Sequence, residues 1–143
     1  MTSRISVIVP AFNESAGIAA TLTALRRQNP DEIIVVDGES TDATVAIAQP
    51  FARVVHSAKG RARQMNEGAR AATGDVLLFL HADTRLPEGG LTEIRRVMTG
   101  RETLGGRFWI AFDQDHPLLR FMALYARWPA VSYGDQAFFV RRG

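Results

Sequence analysis

The stretch GDVLLFLHADTRLP, residues 74–87, decides the class of fold. Its five consecutive apolar residues, 76–80, show no alternation of apolar and polar positions. A strand of this kind is buried on both faces, as the strands of a parallel sheet are. The apolar run stops at His81, Ala82 and Asp83, so polar side chains stand where the strand leaves the core.

The same order of buried strand, polar loop and helix recurs along the chain. Strands are predicted at residues 5–9, stopped by Pro10, at residues 33–36 and, more weakly, in RVVHSAKG. Apolar spacing predicts four helices. The first has Ile18, Leu22 and Leu25 inward and is capped by Asn13 or Glu14, and a short second helix ends near Ala48. The third has Met65, Ala69 and Ala72 inward, and the fourth lies between Pro87 and about Thr99. LGGRFWIAF and QAFFVRR are predicted strands on either side of an amphipathic helix, HPLLRFMALYARWP.

Alternating buried strands and helices predict an α/β fold, a Rossmann-like and mostly parallel sheet with helices on both faces. In such sheets ligands bind beyond the carboxyl ends of the strands. Polar clusters at residues 12–14, 37–40 and 81–83 each follow a predicted strand. We therefore expect these clusters to meet at one edge of the sheet.

The composition is that of an ordinary globular domain. The chain has 143 residues, a size typical of one domain, with 46% hydrophobic residues and no cysteine. No apolar run reaches the ~18 residues that a membrane span needs, and no signal peptide precedes the first strand. No basic stripe interleaved with aromatics indicates a nucleic-acid partner. These features predict a cytoplasmic protein that does not bind nucleic acid.

Several common functional motifs are missing from the sequence. No G-x-G-x-x-G follows the first strand, and no G-x-x-x-x-G-K-[ST], H-E-x-x-H or G-x-S-x-G occurs. A dinucleotide-binding Rossmann site, a P-loop, a zinc protease site and a serine hydrolase are therefore disfavoured.

Four motifs occur in order: VIVPAFNES, IIVVDGESTD, MNEGARAATGD and LFLHADT. Together they resemble the inverting GT-A glycosyltransferases of family 2, which typically carry P-x-[YF]-N-E, V-V-D-D-x-S-x-D, N-x-G-x-x-x-A-x-G-D and F-L-D-A-D. The match is close over residues 5–84, and GGRF and YGDQAFFVRR resemble a short bacterial branch associated with arsenosugar biosynthesis. The resemblance implies one GT-A domain over residues 1–143. Residues 1–84 would form its nucleotide-sugar-binding half, and residues 85–143 would begin an acceptor-side half that is incomplete.

The resemblance also implies which residues bind the nucleotide sugar. An aromatic residue after the first strand holds the nucleobase, and an acidic residue after the second contacts the base or ribose. The expected set is Pro10, Phe12, Glu14, Asp37, Arg63, Asn66, Gly68, His81, Ala82 and Asp83. Simpler interpretations remain open: Phe12 as a packing residue, Asp37 as a helix cap, Gly68 as a site of close helix packing, and Arg61 and Arg63 as solvated arginines instead of diphosphate ligands.

Asp83 is the expected metal ligand. Together with diphosphate oxygens it would hold Mg²⁺ or Mn²⁺, hard cations that prefer oxygen ligands. The sequence departs here from D-x-D, because His81 stands in place of the first aspartate. We expect His81 to hydrogen-bond the ribose or a phosphate without binding the metal; a strand-end histidine with no role is the alternative.

The catalytic base is harder to place. Inverting transfer needs a carboxylate that deprotonates the acceptor hydroxyl, and the family usually supplies it from an E-D pair beyond the FFVRR strand. The sequence ends at Gly143 before such a motif, so three interpretations are open: a fragment, a base elsewhere in the chain, or a domain that does not catalyse transfer alone. We favour the fragment, and expect it to bind donor and transfer poorly. Asp135 is the nearest candidate base.

Two other functions stay open at this stage: a non-catalytic or truncated sugar-nucleotide-binding module and, less favoured, a nucleotidyltransferase. The helix within residues 117–128 carries an apolar stripe flanked by arginines. Such stripes usually face a core, but a peripheral contact with the inner face of the membrane or a homodimer contact is also open.

Overall fold

The structure is a computed structural model that describes residues 2–108 and 137–143. The strands are β1 (Ile5–Ala11), β2 (Glu32–Asp37), β3 (Arg53–His56), β4 (Val76–Phe79), β5 (Gly105–Arg107) and β6 (Phe138–Arg141). The helices are α1 (Ile18–Arg27), α2 (Thr44–Ala48), α3 (Arg61–Ala71) and α4 (Gly90–Val97). The predicted helix within residues 117–128 lies outside the described residues.

The six described strands form one sheet in the order β3-β2-β1-β4-β6-β5. Strands β1 to β4 are parallel, whereas β6 runs antiparallel to both β4 and β5. The parallel strands place their carboxyl ends at one edge, here called the carboxyl edge. The prediction of a mostly parallel α/β sheet is therefore confirmed.

Alternate residues of the central strands pack into two cores, one on each face of the sheet. On the first face Val7, Val35 and Leu78 join buried residues of α1, α2 and α4. On the second face Ile8 and Ile34 pack beside α3. Burial on both faces explains why these strands are continuously apolar.

Strand β1 continues past Pro10, where the sequence predicted that it would stop. Pro10 pairs with Val36 of β2, but β1 pairs with β4 only as far as Ile8. Beyond Ile8 the strand has one paired neighbour, and a residue without an N–H is tolerated at such an edge.

The predicted inward face of helix α3 is partly confirmed, since Ala72 is buried and Ala69 packs against the second core, but Met65 is not among the buried residues. Gln64 and Gly68 are its buried residues, whereas Met65 is only partly buried. A Cβ at Gly68 would clash with Cγ2 of Ile8 and lie 3.0 Å from Cγ2 of Val36. The helix axis therefore lies too close to the sheet for any larger side chain at this position.

No helix of the described ranges is long and apolar enough to cross a membrane.

Candidate functional site at the carboxyl edge of the sheet

A cleft of about 380 Å³ opens at the carboxyl edge, across the ends of β1 and β4 and the start of α3. Six of the ten predicted nucleotide-sugar residues line it: Pro10, Phe12, Glu14, His81, Ala82 and Asp83. The structure thus brings together the groups that follow β1 and β4, as the topology predicted.

The loop after β1 is held in place by the loop after β2. The Asn13 N–H donates to Ser40 Oγ at 2.9 Å, and Asn13 Oδ1 accepts from the Thr41 N–H at 2.8 Å. The Glu14 N–H donates to Thr44 Oγ1 at 2.8 Å. These bonds fix the backbone on both sides of Phe12 and Glu14, and they explain the polar residues of both motifs.

The prediction that Asn13 or Glu14 caps α1 is wrong. Gly17 is the N-cap residue of α1, and no side chain caps it. The Asn13 carboxamide is engaged with Thr41 instead. Asn13 adopts φ 52°, a left-handed conformation that asparagine tolerates better than most residues.

The loop after β4 is tied to α1 through its middle residue. Ala82 is buried, and its carbonyl oxygen accepts a 2.6 Å hydrogen bond from the hydroxyl of Thr21. The Thr84 N–H closes a turn onto the carbonyl of His81 at 3.0 Å. This turn fixes the backbone on both sides of Ala82 and leaves Asp83 exposed at the cleft.

Burial and nearby charges shift the pKa of Glu14. Partial burial raises the pKa of its carboxyl, and the negative charges of Asp83 and Asp42 raise it further, while His81 acts in the opposite direction. Burial and the nearby carboxylates therefore both disfavour a negative charge on Glu14. A cation placed beside these carboxylates would relieve their repulsion.

Sequence reasoning missed Lys59, Gly60 and Gln64, which also line the cleft. Lys59 and Gly60 follow β3, and Gln64 lies in the first turn of α3. The rule that ligands bind beyond the carboxyl ends of parallel strands, applied to the third strand, would have found Lys59 and Gly60. Gly60 has φ 141° and ψ 120°, a conformation that only glycine adopts readily, and it is the N-cap residue of α3.

The basic residues near the start of α3 divide between two pockets. Arg61 lines the cleft, with Lys59 beside it. Arg63 and Asn66 line a separate pocket of about 380 Å³ with His56 and Ser57. Of the two arginines weighed for the diphosphate, Arg61 is therefore the one that lines the cleft with Asp83.

The other two predicted residues lie below the surface. Asp37 is 3% exposed; both of its carboxylate oxygens accept from the Ser40 N–H at 3.3 Å, and Oδ2 lies 3.5 Å from His56 Nδ1. Gly68 is buried against the sheet, where close packing accounts for it. Their contacts with a nucleotide stay predictions, as do those of Arg63 and Asn66. Asp135 lies outside the described residues.

Within residues 2–108 and 137–143, no group of three or more His, Cys, Asp or Glu side chains could hold a metal ion by itself. The exposed Asp83 carboxylate at the cleft suits a hard divalent cation that takes its remaining ligands from a bound diphosphate or water. The residues present therefore fit a metal shared with a ligand.

Comparison with known proteins identifies the class of protein that this fold and cleft define. The family described as Glycosyl transferase family 2 matches residues 6–130. The chain belongs to this family.

A curated relative in Mycobacterium tuberculosis, a PGL/p-HBAD biosynthesis glycosyltransferase, is 40% identical over 93 residues. The alignment covers 58% of this chain and 36% of that protein. The chain thus spans about a third of the length of this relative.

Two solved structures share the fold across almost the whole chain. One is a mannosyltransferase from Pyrobaculum calidifontis in complex with GDP-Man and Mn²⁺, with a TM-score of 0.70 and 24% identity over 98% of this chain and 45% of that one. The other is glucosyl-3-phosphoglycerate synthase from Mycobacterium tuberculosis in complex with UDP, with a TM-score of 0.73 and 23% identity over 97% of this chain and 57% of that one. The fold is GT-A, as the motifs predicted.

Proposed function

We propose that the cleft binds a nucleoside-diphosphate sugar together with Mg²⁺ or Mn²⁺, and that the protein transfers the sugar to an acceptor. One observation carries the proposal: a single cleft joins an aromatic ring (Phe12), two cations (Lys59 and Arg61) and an exposed carboxylate (Asp83). These are the groups that a base, a diphosphate and a shared metal require.

Each end of the donor has suitable partners in the cleft. Stacking on the Phe12 ring would hold the base, because every nucleobase presents an aromatic face. Arg61 offers a planar guanidinium that can form paired hydrogen bonds to phosphate oxygens. In the domain division that we propose, these donor contacts come from residues 1–84, and residues 85–143 begin the acceptor side.

Asp83 would be the protein ligand of the metal. A cation between this carboxylate and the diphosphate would neutralise the charge that develops on the leaving group. The mannosyltransferase neighbour was solved with GDP-Man and Mn²⁺ and the synthase with UDP, which supports a guanosine or uridine donor here. His81 would hydrogen-bond the ribose or a phosphate.

The acceptor side is less defined. Inverting transfer requires a carboxylate that takes the proton of the acceptor hydroxyl during attack on the anomeric carbon. Asp135 stays the candidate base. A cytoplasmic location, and a membrane or dimer contact through residues 117–128, also stay predictions.

A calorimetric panel tests the donor proposal. Folded protein is titrated with UDP-glucose, UDP-galactose, GDP-mannose and ADP-glucose in Mn²⁺. We expect heat from at least one uridine or guanosine nucleotide; heat from none of them would end the proposal. Release of free sugar or transfer to an added acceptor then separates an enzyme from a binding module.

A further inference from the structure

Gln64 is a buried polar residue at the floor of the cleft. Only 4% of it is exposed, in the first turn of α3. Its Nε2 group donates to the carbonyl of Ala11 at 2.8 Å and to the carbonyl of Val36 at 2.9 Å. A carboxamide has two N–H donors, so both are used on the ends of β1 and β2.

These two bonds fix which way the carboxamide faces. Rotation by 180° would set its oxygen against two carbonyl oxygens, which is repulsive. The group also lies flat over Gly38, where an added Cβ would come within 2.8–2.9 Å of Cδ, Nε2 and Oε1. The Gln64 carboxamide thus fills the space that a side chain at position 38 would need, and it is held there.

The remaining atom, Oε1, makes no hydrogen bond to the part of the chain that the structure describes. A buried acceptor without a donor costs about 1–3 kcal/mol, and native proteins usually satisfy such an atom with water or a ligand. Because Gln64 lines the cleft, a ligand can supply the donor.

The position of Gln64 favours the base end of the donor. It is bonded to Ala11, the residue directly before Phe12, between the ends of β1 and β2. Asp83 follows β4, on the other side of β1. The fixed acceptor therefore lies at the ends of β1 and β2, in the same cleft as Phe12, whereas the metal ligand follows β4 on the other side of β1.

We propose that Gln64 Oε1 accepts a hydrogen bond from the ring N–H of the donor's nucleobase, so that the cleft selects bases that carry this donor, uracil and guanine. Cytosine and adenine present a lone pair at the equivalent ring nitrogen, which a fixed oxygen repels. Stacking on Phe12 does not distinguish bases, whereas a buried acceptor that a wrong ligand leaves unpaired does. This inference rests on the proposed function.

The first test uses the unaltered protein. Dissociation constants are measured in Mn²⁺ for UDP, 3-methyluridine diphosphate, CDP and 2′-deoxyuridine diphosphate, or for GDP, 1-methylguanosine diphosphate, ADP and 2′-deoxyguanosine diphosphate if GDP binds better. We expect N-methylation to weaken binding about tenfold or more, and CDP or ADP to bind as weakly as the methylated analogue.

A variant separates the hydrogen bond from a steric effect of the methyl group. Gln64→Met keeps the approximate volume and removes the acceptor, so the parent and methylated nucleotides should bind it equally. Gln28→Met is the matched control, because Gln28 does not line the cleft and its Oε1 already accepts from the Leu91 N–H at 3.2 Å. The control should keep the full preference for the parent nucleotide. If Gln64→Met does not fold, Asp37→Asn is measured with the same series, because the Asp37 carboxylate at the end of β2 is the other acceptor expected near the base. Loss of the preference for the parent nucleotide in that variant would overturn the role of Gln64.

The outcomes distinguish this inference from the function on which it rests. Equal binding of parent and N-methylated nucleotides by the unaltered protein overturns the role of Gln64 and leaves donor binding intact. A loss confined to the 2′-deoxy nucleotides also overturns it, because the selective contact would then be at the ribose, where His81 is an expected partner. Absence of binding by every nucleotide overturns both proposals.

Discussion

The ammonium nitrogen of Lys59 lies 3.8 Å from the centroid of the Phe12 ring. This contact joins the loop after β3 to the loop after β1, and it covers one face of the ring that we expect to stack on a base. A cation over an aromatic ring at an exposed site contributes about 0.5–1 kcal/mol. A stacked base can displace it at this small cost, and we expect Lys59 then to contact the diphosphate that we propose for the cleft.

Lys59→Met should have different effects on the binding of the phosphates and on the binding of the base. We expect UDP or GDP to bind several-fold more weakly and with a smaller dependence on salt, because a cation near the phosphates is gone. The corresponding nucleoside, which has no phosphate, should bind at least as well, because its base no longer has to displace the ammonium group from the Phe12 ring. Calorimetry at two salt concentrations measures both. Arg26→Met removes an exposed cation from α1 and is the control; an equal loss in that variant would mean that only net charge matters.

Gly68→Ala should destabilise the protein, because the new methyl group would meet Ile8 and Val36 beneath α3. Overpacking typically costs about 1–3 kcal/mol, of which better helix propensity recovers at most about 1 kcal/mol. Urea unfolding measures the change. Gly100→Ala is the control, since its added Cβ would meet only Thr103 Oγ1 at an ordinary 3.8 Å. A stable Gly68→Ala variant with weakened nucleotide binding would assign Gly68 to the ligand.

Protonation of Glu32 should make the folded protein less stable in acid. Burial raises the pKa of this carboxyl, but hydrogen bonds from Ser6 and Thr73 and the charge of Arg53 outweigh burial and lower the pKa below its ordinary value. A group whose pKa is lower in the folded state stabilises the protein above its unfolded pKa, and this contribution is lost as the pH falls through the folded pKa. Stability should therefore decline as the pH falls below about 4.3, the ordinary pKa of glutamate.

Glu32→Gln tests this origin of the decline. At pH 7 it should lower the free energy of unfolding by about 1–3 kcal/mol, the usual worth of hydrogen bonds to a charged group. The difference from the parent protein should shrink as the pH falls towards 3. Glu67→Gln is the control, because Glu67 pairs only with the exposed Arg70 in the described contacts. A difference that stays constant with pH would show that the charge of Glu32 is not the cause.

The carboxyl edge was predictable because it depends on features that a sequence shows directly. Continuous apolar runs indicate strands buried on both faces, and parallel strands end at one edge. Phe12 and Asp83, which follow two such strands, were therefore expected to meet, and they line one cleft. The helical spacing of Ile18, Leu22 and Leu25 likewise gave the buried face of α1.

Apolar spacing predicted only part of the inward face of α3. Ala69 and Ala72 pack at the second core as expected, but the pattern also placed Met65 inward and missed the buried Gln64 and Gly68. Gln64 is buried because its carboxamide donates to the carbonyls of Ala11 and Val36, and hydropathy does not register such bonds. Gly68 is buried because the helix lies close to Ile8, a long-range contact that no local signal reveals.

The central claim is that Asp83 binds a metal together with a nucleoside diphosphate, and the most direct measurement is the dissociation constant of UDP or GDP with and without Mn²⁺. In the parent protein Mn²⁺ should tighten binding, and in Asp83→Ala it should make no difference. His81→Ala should weaken binding several-fold yet keep the full effect of Mn²⁺, because we assign the imidazole to the ribose or a phosphate. The opposite pattern, with the effect of Mn²⁺ kept in Asp83→Ala and lost in His81→Ala, would contradict the account.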